Sequence, residues 1–190
     1  MNSTVRPGND ACAQIKQNLV SFIRSHSSSN NDFDELRAIQ DVYAAPCVTD
    51  TQAGVLRQIA GLASYGNDFN EDLAFYNALR RPDLTPTQAD VLNHLVRITS
   101  YENNFDEDGA FYQTLVHQEL TGTQAKVLRT LASGATYEND FSENQAFSAI
   151  LEHPELTSQK ADQLISIFHD AGYYTGVDDT ALFLTVLNNR

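Results

Sequence analysis

Apolar residues along the middle of the chain fall three or four apart, and the whole arrangement then returns. Ala53, Leu56, Ile59 and Ala63 recur 36 residues later as Ala89, Leu92, Leu95 and Thr99, and again as Ala125, Leu128, Leu131 and Ala135. That spacing predicts a helix with one buried face in each copy. Each of these helices opens on a capping box, a Thr followed three residues on by Gln: Thr49 and Gln52, Thr85 and Gln88, Thr121 and Gln124. Pro86 stands at the first helical position, where its missing N–H costs nothing.

A second helix is predicted in each copy, with the buried face Ala74, Phe75, Leu79, then Ala110, Phe111, Leu115, then Ala146, Phe147, Leu151. Its start is placed at Asp68, Asn104 and Asp140, with Glu71, Glu107 and Glu143 three residues on as a second capping box. Arg81, His117 and His153 stand near its negative end, and Pro82 and Pro154 stop it. Between the two helices Tyr-x-Asn-x-Phe recurs as Tyr65, Asn67, Phe69, as Tyr101, Asn103, Phe105, and as Tyr137, Asn139, Phe141, a turn whose aromatics can pack from copy to copy. A degenerate copy precedes these three, aligned by Phe33, Glu35 and Pro46 with the polar run 25–30 as its loop. Another closes the chain, with Gly176 at the cap and Asp179 keeping the acid. A unit of this length cannot bury its apolar face alone, so copies must stack, and atypical terminal copies suit ends that meet water. The expectation is an all-α protein: an α-solenoid of five antiparallel helical hairpins with a 36-residue period, at about 12–47, 48–83, 84–119, 120–155 and 156–190. They form one domain over 10–190 behind a disordered tail at 1–9.

In shape this resembles the tetratricopeptide class of α-solenoids, which also stack antiparallel helix pairs of similar length. The resemblance covers residues 12–190 and architecture alone, since the chain has no Trp and no Leu-Gly pair and its period is two residues longer. Locally, LTPTQ at 84–88 and LTGTQ at 120–124 resemble the opening of TAL-effector DNA-reading repeats. The glycine pair of that family is missing, and the shared letters are capping chemistry.

Charge decides against nucleic acid: a net charge of -13 opposes contact with phosphate backbones, which depends on Lys and Arg releasing counterions. The absence of an apolar leader or a long apolar run leads to an expectation of no membrane partner and a cytoplasmic protein, or an effector delivered without a cleavable signal peptide. Cys12 and Cys47 sit at the two ends of the first hairpin, where a disulfide is sterically possible. For a cytoplasmic protein the expectation is two reduced thiols.

No phosphate loop, nucleophile elbow or His-Glu-x-x-His pair occurs, so no catalytic residue, cofactor or metal is assigned. Asn104, Asp106, Asp108 and Gly109 match the opening of a calcium loop, but Leu115 stands where its bidentate Glu belongs. What varies between copies is the exposed stripe of the first helices, where several of the few cations collect, and Arg57, Asn93, His94, Arg97, Lys126 and Arg129 are its candidate polar and charged contacts. The expected function is a non-enzymatic scaffold binding a protein or peptide through this face with charge-assisted contacts. The rival is an acidic inhibitor or nucleic-acid mimic that meets a basic protein with an edge of Asp72, Asp106, Asp108 and Glu143. An enzyme with an unmarked groove site stands third.

Overall fold

The computed structural model describes residues 7–26, 33–63, 69–99, 104–135, 141–171 and 178–189. Among them lie ten α-helices and no strand: α1 (Pro7–His26), α2 (Glu35–Ala44), α3 (Asp50–Leu62), α4 (Glu71–Leu79), α5 (Pro86–Ile98), α6 (Glu107–Val116), α7 (Gly122–Ser133), α8 (Glu143–Leu151), α9 (Ser158–Asp170) and α10 (Asp179–Asn188). None is long and apolar enough to cross a membrane. The first helix begins inside the stretch expected as a tail and runs on through Ser25 and His26, which were expected in a loop.

Each odd-numbered helix packs on the even-numbered helix that follows, on the next odd helix, and its partner on the next even one. The three Thr-Gln capping boxes form as predicted. Thr49, Thr85 and Thr121 each accept from the Gln backbone N–H at 3.2 Å, while the Gln side chain accepts from the Thr N–H. The same three glutamines are buried, and their amide groups donate across to the far end of the next helix: Gln52 to the carbonyls of Ala78 and Leu79, Gln88 to those of Thr114 and His117, Gln124 to those of Ile150 and Leu151. One side chain therefore closes the start of one helix and the end of its neighbour, which makes the two antiparallel and satisfies carbonyls that would otherwise be orphaned in the core. At the equivalent positions of the outer pairs stand Lys16, donating to Tyr43 and Ala45, and Lys160, donating to Leu187 and Asn189.

The even helices start two residues later than expected. Their N-caps are Asn70, Asp106 and Ser142, not Asp68, Asn104 and Asp140. Asp68 and Asp140 lie outside the described residues, as do the Tyr and Asn of the Tyr-x-Asn-x-Phe turns and Gly176. Glu71, Glu107, Glu143 and Asp179 are accordingly the first helical residues, not the third, and all four are buried. The shift places each turn Phe in the core, against the helical Phe of the following pair. Phe33 meets Phe75, Phe69 meets Phe111, Phe105 meets Phe147 and Phe141 meets Phe183, with centroids 5.4 to 5.5 Å apart. Such tilted and edge-on pairs each add about 0.5–1.5 kcal/mol beyond the area they bury. A backbone rung beside them has the same step. The N–H groups of Asp34, Asn70, Asp106 and Ser142 donate to the side chains of Asp72, Asp108, Asn144 and Thr180.

The ends of the odd row carry polar residues on their outward faces. Gln17 and Arg24 are exposed at the positions of the buried Ala53 and Ala60, and Gln163 is exposed at the position of the buried Val55, Val91 and Val127. The expectation of reduced thiols is corrected: a disulfide joins Cys12 and Cys47, with Cα atoms 5.3 Å apart, tying α1 to the segment between α2 and α3. Lys16 delivers its ammonium to the end of α2 on the same side, so α1 and the end of α2 are held by two contacts and the thiols meet.

Candidate partner-binding face

The stripe on the odd helices is brought together in part. His94 on α5, Lys126 and Arg129 on α7 and His169 on α9 line one groove of about 440 Å³, with Thr130, Ser133 and Gly134. Gly134 is needed there, because a Cβ would meet the Phe168 ring at 2.5 Å. Arg57, Asn93 and Arg97 do not line it. Arg57 is half-buried on α3, and Asn93 is half-buried on α5 with its Oδ1 out of contact with water and unpaired among the described residues.

The stripe is also cross-linked from helix to helix, with a stagger that the sequence alone does not display. Asp90 holds Arg129 at 2.9 Å, His94 shares a 2.6 Å hydrogen bond with Ser133, and Arg97 donates to Gln58 at 3.3 Å. All three pairs are 39 residues apart, one repeat plus one near-turn of helix, which brings side chains on adjacent helices level. Lys126 pairs with Asp162 at 2.6 Å. These ion pairs are largely exposed, so each stabilises by well under about 1 kcal/mol and their groups remain open to competition from a ligand. Burial, then the charge of Arg129, holds the His94 imidazole below its ordinary range, and it is neutral at neutral pH. The groove thus offers a neutral imidazole, hydroxyls and two cations held in solvent-exposed ion pairs. That donor set suits carboxylates, phosphates and peptide carbonyls. Asp90 and Asp162 belong to the same stripe in the sequence, but that they pair with Arg129 and Lys126 shows only in the structure, with the offset of 39 as the signal for Asp90.

The acidic edge is differently employed. Asp72 and Asp108 accept from backbone N–H groups of the preceding pair at 2.8 and 3.0 Å, and Asp106 caps α6 by accepting from the Gly109 N–H at 2.8 Å. Glu143 is buried at the start of α8 and is not exposed on the edge. Two of the calcium-loop candidates are therefore part of the scaffold. Among the described residues, no group of three or more His, Cys, Asp or Glu side chains is placed to hold a metal ion.

A second groove, of about 480 Å³, opens between the C-terminal ends of α2 and α4, where the sequence had marked Pro46, Cys47, Leu79 and Pro82 for structural roles alone. No family model matches the chain, and comparison with curated proteins and with solved structures finds no match to either.

Proposed function

We propose that the helices form an α-solenoid of five antiparallel hairpins with a 36-residue period, tetratricopeptide-like in shape, acting as a non-enzymatic scaffold for a protein or peptide partner. The partner binds along the odd helices. The observation that carries this reading is the convergence of His94, Lys126 and Arg129 from successive odd helices on one groove, in a chain whose net charge is -13. Cations gathered at one place on an acidic protein suit an acidic or carbonyl-rich segment laid across α5, α7 and α9. The structural employment of Asp72, Asp106 and Asp108 supports this face over the acidic edge as the binding surface.

Reversal of charge tests it. With partners captured by cross-linking, Lys126→Glu together with Arg129→Glu should reduce recovery of the partner by about tenfold or more, the loss expected when like charges face each other. Asp72→Asn with Asp108→Asn should leave recovery nearly intact. The opposite pattern would reject the groove and promote the acidic mimic. The Cys12–Cys47 bridge further favours a compartment that does not reduce disulfides over the cytoplasm.

A further inference from the structure

The junctions between successive pairs correspond by a shift of 36 residues in the sequence, and the first lacks a side chain that the second contains. Between α4 and α6, Arg81 reaches across from the end of α4 and donates through Nη1 to the Leu115 carbonyl. Its Nε and Nη2 hold the Asp83 carboxylate at 3.0 and 3.1 Å. A guanidinium thus fills that junction, its fork shared between a helix-end carbonyl and a carboxylate.

At the first junction the residues equivalent to Arg81 and Asp83 are Ala45 and Cys47, and Cys47 is committed to the disulfide. The space stands open as the groove between the ends of α2 and α4. Ala45 and Leu79 form apolar wall, Asp41 supplies a half-buried carboxylate, and Arg80 lies over the Tyr76 ring at 3.8 Å from its centroid. The Leu79 carbonyl, equivalent to that of Leu115, accepts one hydrogen bond from Gln52 at 3.1 Å and has a second lone pair.

We propose that this groove binds an arginine side chain presented by a partner protein or peptide. The aliphatic stem lies along Ala45 and Leu79, and the guanidinium divides its donors between the Leu79 carbonyl and Asp41, as Arg81 does between Leu115 and Asp83. Asp41 is available for this, because its contact with Arg37 is a loose 4.0 Å. Arg80 opposes a second cation, but its guanidinium is already stacked on Tyr76, and the net charge of the chain draws a basic segment in. A lysine fits less well, since a compact ammonium cannot fork between two acceptors. The site is separate from the odd-helix face and stands or falls apart from it.

Titration of the full, oxidised chain with N-acetylarginine methylamide, followed through the Tyr76 ring resonances, tests the proposal. Saturable shifts are expected, with the lysine analogue at least about fivefold weaker for want of the fork. Ala45→Arg supplies the missing side chain in cis and should abolish binding while keeping or raising the thermal midpoint. Asp41→Asn, which keeps the size of the side chain and leaves the backbone bond from the Ala45 N–H to the Asp41 carbonyl intact, should weaken binding severalfold and keeps the test decisive if Ala45→Arg does not fold. No saturable shift, undiminished binding by a folded Ala45→Arg or by Asp41→Asn, or equal binding of the N-acetylglutamate analogue would overturn it.

Discussion

The inner pairs and the outer pairs solve one problem with different residues. At five positions 36 residues apart, a side chain from the start of an odd helix must satisfy the carbonyls at the end of its even partner. The inner three are Gln52, Gln88 and Gln124, all buried, and the outer two are Lys16 and Lys160, both half-buried. A buried ammonium would carry a large desolvation cost, whereas a neutral amide donates and accepts at once; where one side of the pair meets water, a charged donor is tolerated. The apolar positions diverge in parallel: Leu79, Leu115 and Leu151 are buried, but the equivalent Tyr43 is 57% exposed, and among the described residues α2 has an even-numbered neighbour, α4, on one side alone. The difference teaches that sequence variation at the ends follows lost neighbours and not lost register.

Four measurements break or sharpen this comparison. The largest effect is expected for Phe111→Ala, which removes a buried ring from the Phe69 contact and should destabilise by about 3–5 kcal/mol. The equivalent Ile39→Ala in the half-buried first pair should cost less than half of that in a denaturant titration. Equal losses would mean that the first pair is not an end. Next, reduction of the disulfide, or Cys47→Ser, opens a loop with a sequence separation of 35 and should lower stability by about 3 kcal/mol. Since neighbours couple only to neighbours, hydrogen exchange should rise in α1 and α2 first and leave α7 protected.

Gln88→Ala should cost about 1–3 kcal/mol, because the Thr85 N–H and the Thr114 and His117 carbonyls lose a buried partner. Lys160→Ala should cost about 1 kcal/mol or less, since water reaches the carbonyls of Leu187 and Asn189. A lysine variant as costly as the glutamine one would contradict the contrast between buried and wet ends. The smallest effect concerns pH. The imidazole of His94 is held low by burial and by Arg129, with Arg97 adding to that and Asp90 partly offsetting it. The unfolded chain therefore binds a proton at His94 before the folded one does, and its contribution to stability is present above about pH 6.5 and lost as pH falls toward the lowered folded value. His94→Gln should flatten the thermal midpoint against pH just below 6.5, and an unchanged slope would show that burial at the stripe does not hold this ring neutral.

Much of this molecule was legible in the chain. Period, helix pairs and the Thr-x-x-Gln caps follow from local chemistry, because a capping box needs only residues three apart. The start of the even helices was misplaced for an equally physical reason. Around Phe69 both Asp68 with Glu71 and Asn70 with Leu73 offer a capping side chain, and local chemistry cannot choose between the frames. The choice is made by burying Phe69 against Phe111 and by the bond from the Asn70 N–H to Asp108.

The candidate site divides in the same way. Helical spacing sufficed to put His94, Lys126 and Arg129 on one stripe, because it depends only on turns within a helix. Which cations share a groove, which carboxylates neutralise them, and that Ala45 leaves the place of Arg81 empty all depend on how adjacent pairs stack. By itself the sequence determined the repeating unit, its caps and the residues on each face. The tertiary structure alone decided the helix frame, the disulfide and the grooves, since these rest on contacts between residues 26 to 42 positions apart, brought together by burial of a shared core and not by any local preference.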